Sequence, residues 1–409
     1  MREKSVLISG AGIAGLTLAY WLKQYGFAPT IVEKHPSLRT GGYKIDIRGV
    51  AIDVVKRMGV YPSILKGRTD IRGAMIVNSA GKQATNMSAD LCGGRVEGDL
   101  EIMRGDLCEI LLKQIGDIEC IFGDCITQIR QSEDSVYVEF EKNEPRNFDF
   151  VVGADGLHST VRKLVFGDES HFLKELGLYI SVYTVPNFLN LDCFEIEYFE
   201  PQKFVNIYSS HGDLNAKAGF AFSLKPLQCD KRSVSDQQKL VQKAFSNVGW
   251  EVPRLLAAMK EAPDFYFDAA AQIHMPQWSK GRIVLVGDAG YAPSPISGQG
   301  TSVAIVGAYV LAGELAKGAE DHLTAFTEYE MTLRKFVKAN QELAKMSGAL
   351  MGDKDESWIS WLSYHVMSLA PLKWIQYFKT LGVKKINKAA NDLILKDYSD
   401  KYSVKTLGV

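Results

Sequence analysis

The feature that most constrains this chain is a glycine-rich turn near the N-terminus. The apolar strand Val6–Ile8 leads into a G-x-G-x-x-G motif at Gly10, Gly12 and Gly15, and after a helical pattern a second strand ends on Glu33. The first glycine of such a motif permits a tight turn, the second admits a pyrophosphate, and the third lets helix and strand pack closely. The helix N-terminus offers free N–H groups to phosphates, and the acid accepts hydrogen bonds from a ribose. The order predicts a dinucleotide site without separating FAD from NAD.

Composition excludes several other classes of protein. The 409 residues carry 47 Lys plus Arg against 48 Asp plus Glu, a net charge of −1, which argues against a nucleic-acid partner. The six cysteines form no C-x-x-C pair and the seven histidines form no H-E-x-x-H motif, so we expect no metal. Glycines interrupt the first apolar run, and no stretch reaches the roughly 18 apolar residues that a spanning helix needs. We therefore expect a cytoplasmic protein without a membrane partner.

Two further segments each end an apolar strand in a turn that contains an acid. These are Phe150–Val152 followed by Gly153-Ala154-Asp155-Gly156-Leu157-His158-Ser159, and Ile283–Val286 followed by Gly287-Asp288, Pro295 and Gly298-Gln299-Gly300. In both, the strand delivers an acid and glycines to the carboxyl edge of a sheet, where ligands bind in open α/β folds. Ser159 is suited to cap a following helix.

Together the three segments resemble the class A flavin-dependent monooxygenases, the family of the aromatic hydroxylases. The resemblance implies that the first motif holds the ADP half of FAD, that Asp155 lies near the pyrophosphate, and that Asp288 lies on the ribityl chain. It also implies a basic side chain after the ribose-binding acid, an arginine on the helix before the second segment, and contacts from the loop after the second strand. The cofactor-binding residues predicted from motif and resemblance are Gly10, Gly12, Gly15, Glu33, Lys34, Arg39, Asp46, Arg104, Asp155, Asp288, Pro295, Gly298 and Gly300.

The resemblance also implies the chemistry. NAD(P)H reduces FAD, and one oxygen atom of O2 is delivered to an electron-rich small molecule. The chain shows no nucleophile–base pair, which suits an enzyme whose cofactor carries the difficult step, so the catalytic residues stay unknown. Many family members have Ala-His where this chain has Gly290-Tyr291, and Ser302 stands in place of a common asparagine. No second G-x-G-x-x-G and no W-x-W-x-I-P motif is present, which argues against two-dinucleotide reductases and halogenases.

The predicted fold is α/β: a Rossmann-like FAD-binding domain with an inserted antiparallel β-sheet substrate domain and a C-terminal helical extension. The FAD-binding domain is expected to comprise residues 1–72, 100–172 and 276–340, the substrate domain residues 73–99 and 173–275, and the extension residues 341–409. Alternation within 204–208 and 218–222 predicts the inserted sheet. We expect its aromatic stripe to form core rather than a substrate platform.

The C-terminal part bears on the substrate. Aromatic amphipathic stretches at 358–367 and 372–378 predict helices that pack on the FAD domain, cover the substrate entrance, or lie on a membrane surface. With the run G-G-Y-K-I-D-I-R-G and the helix after Gly300, they resemble the tetracycline-inactivating flavin monooxygenases. The implied activity is oxidation of a tetracycline by a monomeric enzyme. Two alternatives are a hydroxylase of another phenolic or polyketide metabolite and a non-catalytic or membrane-peripheral flavoprotein.

Overall fold

The strand that leads into the N-terminal glycine motif belongs to a six-stranded sheet. The computed structural model describes residues 3–38, 42–88, 93–223, 233–318, 321–351 and 372–398. In spatial order the strands are Ser279–Lys280 (β17), Ile283–Leu285 (β18), Phe150–Gly153 (β11), Ser5–Ser9 (β1), Ala28–Glu33 (β2) and Glu119–Phe122 (β7). All pairs are parallel except β17 with β18. The central strands β1, β11 and β18 are mainly apolar and are buried except at Ser5, as expected for parallel strands covered on both faces.

Helices on this sheet follow from the sequence patterns. The helix Ile13–Gln24 (α1) begins directly after Gly12 and packs against Gly300–Lys317 (α9) and Arg104–Ile115 (α4). Ser159 accepts a hydrogen bond from the backbone of Arg162, which confirms its predicted role as N-cap of Thr160–Phe166 (α5). Shorter elements complete this region: the helices Val50–Arg57 (α2), Tyr61–Lys66 (α3) and Asp288–Tyr291 (α8), the 3₁₀ turns Glu169–His171 and Pro295–Ser297, and the antiparallel strands Ile126–Gln131 (β8), Val136–Phe140 (β9) and Arg146–Phe148 (β10).

A second sheet of seven strands takes five of its strands from residues 173–273. In spatial order it contains Tyr266–Ile273 (β16), Leu173–Pro186 (β12), Asn215–Ser223 (β15), Lys203–Ser209 (β14), Phe194–Glu200 (β13), Gly73–Val77 (β4) and Gln83–Ser88 (β5). Neighbouring strands are antiparallel, as predicted, except that β4 runs parallel to β13. Because β4 comes from a distant part of the chain, no hairpin turn joins it to β13 and forces the two strands to be antiparallel.

One face of the second sheet is an aromatic core. Tyr179, Tyr183, Phe220 and Phe222 pack there with the helices Val234–Phe245 (α6) and Val252–Ala258 (α7) and the 3₁₀ turn Met259–Glu261. Tyr183 and Phe220 stack with ring centroids 5.7 Å apart. The prediction that the aromatic stripe forms core is confirmed for these residues, and the opposite face of the sheet is left for polar side chains.

The C-terminal helices return to the first sheet. The helix His322–Met351 (α10) packs against α9 and against Leu372–Ala390 (α11). Ala389 O accepts a hydrogen bond from Asn340, and Ala390 lies against Gly49, which precedes α2. Beyond α11, Tyr398 donates to Glu314 on α9 at 2.8 Å. The described residues 372–398 therefore pack on the helices beside the first sheet, whereas the stretch 358–367 lies outside the described residues.

Two further short strands form a small sheet of their own. Lys44–Ile47 (β3) and Leu100–Met103 (β6) form an antiparallel pair, with Asp46 opposite Glu101. Within the described ranges, no helix has both the length and the apolar character that crossing a membrane requires.

Candidate active site

The glycine motif forms a cradle at the N-terminus of α1. A Cβ on Gly10, which has φ +109°, would lie 2.6 Å from the carbonyl oxygen of Ala154, and a Cβ on Gly15 would lie 2.0 Å from that of Gly10. Gly12 differs, because the nearest described atom to its Cβ position is Arg104 Nη2, at 4.0 Å. The fold itself therefore requires glycine at 10 and 15. At Gly12 the open space beside free N–H groups fits a bound pyrophosphate.

Glu33 lies at the rim of this cradle. Its carboxylate accepts hydrogen bonds from the backbone N–H groups of Ala11 and His35, both at 2.9 Å. The carboxylate at the end of β2 is thereby fixed against the glycine turn, where a ribose next to the pyrophosphate would be bound. The neighbouring Lys34 side chain is exposed, and Arg39 lies outside the described residues.

Arg104 and Asp288 continue the cleft. Arg104 begins α4 beside Gly12 and Gly42, and Asp288 begins α8. The Asp288 carboxyl is accessible to solvent, yet protein surrounds it closely enough that lost hydration raises its pKa, while the positive charge of Arg104 opposes that shift. A Cβ on Gly300, the first residue of α9, would lie 3.9 Å from Asp288 Oδ1. Arg104, Asp288 and the N-terminus of α9 therefore line one side of the same cleft.

The far end of the cleft is formed by Gly298 and Arg48. Pro295 is exposed on the preceding 3₁₀ turn, and Gly298 adopts a left-handed conformation, φ +64°, that a glycine accommodates without strain. A Cβ on Gly298 would lie 3.9 Å from Arg48 Nη2. Arg48 is buried and donates to Asp46 at 2.7 Å, so the structure places Asp46 in an ion pair. Burial raises the pKa of Asp46, against the attraction of Arg48.

Asp155 differs from the other acids predicted to bind the cofactor in what its side chain contacts. Its backbone lies against Gly10, but its carboxylate accepts hydrogen bonds from Ser159 and from the N–H of Val161, at 3.0 Å, so it holds the N-terminus of α5. Burial raises the pKa of this carboxyl, and those hydrogen bonds lower it. The structure therefore brings Asp155 to the cradle through its backbone, while its side chain secures the turn.

His158, which sequence reasoning did not single out, links the two sheets. Its Nδ1 lies 2.9 Å from Glu169 Oε1 and its Nε2 lies 3.6 Å from Asp268 Oδ1 on β16. Hydrogen bonds to Asp268 and Glu169 raise the pKa of His158 to about 9. The imidazole is therefore charged at neutral pH and joins the turn after β11 to the second sheet. The sequence signal that could have indicated Asp268 is the alternation along this strand, which places Tyr266 and Asp268 on the same face.

The polar face of the second sheet covers the cleft. The strand register places on this face Glu195, Glu197, Asn206, Tyr208, Tyr266 and Asp268. Gly219 keeps it open, because a Cβ there would lie 2.1 Å from Asn206 Oδ1. Tyr266 packs against Tyr43, with ring centroids 5.6 Å apart, so the sheet meets the loop that follows Gly42.

A buried ion cluster joins this face to β3 and β6. Lys44 Nζ lies 2.5 Å from Glu195 and 3.4 Å from Glu101, which also pairs with Arg95 at 2.6 Å. Burial lowers the pKa of Lys44, but the two carboxylates more than offset it, so the pKa is raised. The backbone N–H of Lys44 donates to Tyr208 at 3.1 Å. The cluster fixes the second sheet relative to the loop that borders Gly298.

Residues 3–324 match the family described as FAD binding domain. The chain belongs to this family. A flavin-dependent monooxygenase from an unidentified prokaryote is 47% identical over 338 residues, which cover 83% of this chain and 88% of that protein. The crystal structure of tetracycline destructase Tet(55) is 40% identical, with a TM-score of 0.85 over 97% of this chain and 99% of that one. For tetracycline destructase Tet(51) the identity is 35% and the TM-score 0.85, over 97% and 100%.

These similarities confirm the predicted fold class and the resemblance to the class A flavin monooxygenases. The chain is a flavin-dependent monooxygenase, an oxidoreductase that binds FAD.

Proposed function

We propose that this monooxygenase consumes NAD(P)H and inserts one oxygen atom from O2 into a tetracycline-type antibiotic, which inactivates it. The observation that carries the proposal is the extent of the likeness to the two tetracycline destructases. The likeness covers 97% of this chain, whereas the family match ends at residue 324, so the likeness extends into the part of the chain that contains α10 and α11. Those helices are the part of the chain that a general FAD-binding domain does not require.

The cradle and the cleft would together hold FAD. Glu33 would accept from the ribose, the N–H groups beside Gly12 would bind the pyrophosphate with Arg104, and Asp288 would accept from the ribityl chain. Gly298 and Gly300 would lie beside the flavin ring, where the N-terminus of α9 favours negative charge. FAD, once reduced by NAD(P)H, supplies the oxygen-activating chemistry, and the protein contributes position, electrostatics and exclusion of water.

The polar sheet face suits a densely functionalised substrate. Two carboxylates of β13 (Glu195 and Glu197) and the Tyr208 side chain are buried on this face, and the amide of Asn206 beside them is half-buried. A tetracycline presents hydroxyls, carbonyls and an amine, which such groups can pair. Asn206 donates to Glu195 at 2.6 Å, and carboxylate oxygens can accept further hydrogen bonds, so these groups can also accept from substrate hydroxyls.

We further propose that α11 closes one side of the substrate entrance. Ile386 Cδ1 would lie 3.1 Å from a Cβ on Gly94, and the neighbouring Gly93 O accepts a hydrogen bond from Arg48 at 2.6 Å. Helix α11 thus contacts the turn that holds the arginine next to Gly298. This contact supports the proposal that α11 acts as a lid, and the same helix also packs against Gly49 before α2.

The test uses FAD-loaded enzyme with a tetracycline, NADPH or NADH, and O2. We expect loss of the tetracycline chromophore, a product heavier by one oxygen atom, and NAD(P)H oxidation that tetracycline stimulates. Reactions without enzyme, without nicotinamide and without O2 serve as controls. If the chromophore persists while simple phenols or other polyketides stimulate NAD(P)H oxidation, the tetracycline assignment is wrong and the chain is a hydroxylase of those metabolites.

A further inference from the structure

Three side chains of types that can bind a metal lie together at one end of the second sheet. Asp70 lies just before β4, Cys193 just before β13, and His211 just after β14. The register pairs Gly73 with Phe194 and Phe194 with Ser209, so these strand ends are adjacent. The fold therefore gathers an oxygen, a sulfur and a nitrogen donor from three separate segments.

The spacing of these donors suits a tetrahedral ion. One donor atom from each of Asp70, Cys193 and His211 lies within 4.8 Å of the other two. Cys193 Sγ lies 3.1 Å from Asp70 Oδ2. Zinc bonds of about 2.3 Å to sulfur and about 2.0 Å to oxygen or nitrogen give donor–donor distances of roughly 3.3–3.5 Å in a tetrahedron. Small side-chain rotations would bring all three donors to those distances.

The surroundings supply an outer carboxylate and a route of entry. Asp192 Oδ1 lies 2.9 Å from His211 Nδ1 and 3.8 Å from Cys193 Sγ. Carboxylates in this position orient metal-binding histidines and add negative charge. Asp70 also lines a cleft of about 340 Å³ that is bounded by residues 68–72 and 99–101 and by Arg95. Because His211 is exposed and Asp70 is half-buried, an ion can reach these two donors from solvent.

We propose that Asp70, Cys193 and His211 bind one zinc ion, with water as the fourth ligand. Thiolate and imidazole favour zinc over magnesium or calcium. Binding releases the thiol proton to solvent. The ion would tie together the ends of β4, β13 and β14 and hold the segment around Thr69, which donates to Glu101 in the ion cluster. The sequence led us to expect no metal, because Asp70 and Cys193 are 123 residues apart and form no spacing motif.

The test titrates Cd²⁺ into full-length, FAD-loaded protein that has been reduced and treated with a chelator. We expect one equivalent of cadmium to produce a thiolate-to-metal charge-transfer band in the ultraviolet, and zinc to abolish it by competition. C193S should lose the band, and H211N should weaken cadmium binding at least 10-fold. C125S is the matched control, because Cys125 Sγ also lies beside a carboxylate, 3.6 Å from Glu141 Oε2. It should behave as the native protein.

The flavin absorbance of each variant reports whether it has folded. His211 is exposed on a turn, so H211N tests the proposal even if C193S does not fold. The proposal is overturned if the native protein binds no cadmium at micromolar concentration. It is also overturned if H211N binds as the native protein does, or if the band survives in C193S.

Discussion

Replacing Gly12 with alanine should separate FAD binding from folding. Gly12 has φ −83° and ψ −175°, which any residue adopts, and the nearest described atom to an added Cβ is 4.0 Å away. Alanine restricts the unfolded chain, which stabilises by about 0.4–1 kcal/mol, and is a poorer N-cap than glycine by a similar amount. The stability of the apoprotein should therefore change by less than about 1 kcal/mol.

FAD binding should respond differently to the same substitution. The added methyl group would occupy the space in which we place the pyrophosphate, and crowding of a packed contact costs about 1–3 kcal/mol. At 1.4 kcal/mol for each factor of ten, the FAD affinity of G12A should fall about 5- to 150-fold.

Three other glycines provide matched controls. G15A would place its Cβ 2.0 Å from a backbone oxygen, so it should destabilise the apoprotein by about 1–3 kcal/mol or more. G10A adds a strained φ to a similar clash, and should cost more than G15A. G26A, with φ +80° and no described atom within 4 Å, should cost about 1–2 kcal/mol from its backbone conformation alone and bind FAD normally.

The assays are thermal unfolding of each apoprotein and titration with FAD followed by flavin fluorescence. The G12A apoprotein should unfold at nearly the same temperature as the native apoprotein but bind FAD more weakly. The reasoning is refuted if G12A binds FAD like the native protein, or if its apoprotein is as unstable as G15A.

Three further predictions concern single side chains. E33Q keeps an acceptor for Ala11 N–H but loses the charge, so we expect FAD affinity to fall about 10-fold in the same titration, since charged hydrogen bonds are stronger by about 1–1.5 kcal/mol. In H158N, the stability lost relative to the native protein should be greatest below pH 6.5 and should disappear as the pH rises through about 9. The reason is that only the folded state raises the pKa of His158. Thermal unfolding of both proteins across pH 6–10 measures this, and a stability difference between H158N and the native protein that does not change with pH would contradict it. Y329F removes a buried hydroxyl that bonds Tyr291 OH at 2.8 Å and Leu285 O at 3.0 Å, so chemical denaturation should show a loss of about 1–3 kcal/mol with unchanged FAD affinity.

The parts of the fold that the sequence predicted are those with short-range causes. The unit β1–α1–β2 follows from glycine positions and apolar runs within about 30 residues, and the N-cap at Ser159 needs only a hydroxyl before a helical pattern. The second sheet was also predictable as a sheet, because period-2 alternation is local. Its aromatic core followed from the same alternation.

Long-range pairing explains what could not be predicted. Nothing near Lys44 in the sequence indicates that Glu195 will neutralise it, and nothing near His158 indicates Asp268. The parallel pairing of β4 with β13 has no local signal either. For Asp155, the motif predicted the position of the backbone, whereas the use of its carboxylate depends on Ser159 and Val161 in three dimensions.

The ion cluster joins β3 and β6 to the polar face of the second sheet, and its energetics indicate that it sets the position of these elements more than it stabilises the fold. Buried ion pairs contribute little net stability, because desolvation cancels much of their attraction, and apolar replacements are often as stable. Strand β3 alternates: Ile45 and Ile47 pack in the core of the first sheet, whereas Lys44 and Asp46 face the charges of Glu101, Glu195 and Arg48. A register shift of one residue would exchange these faces and bury unpaired charge, so the cluster penalises that shift. It thereby fixes Arg48 beside Gly298 and holds the second sheet in place relative to both. Such positioning matters at an active site, where a misplacement of about 1 Å can slow a reaction about 100-fold.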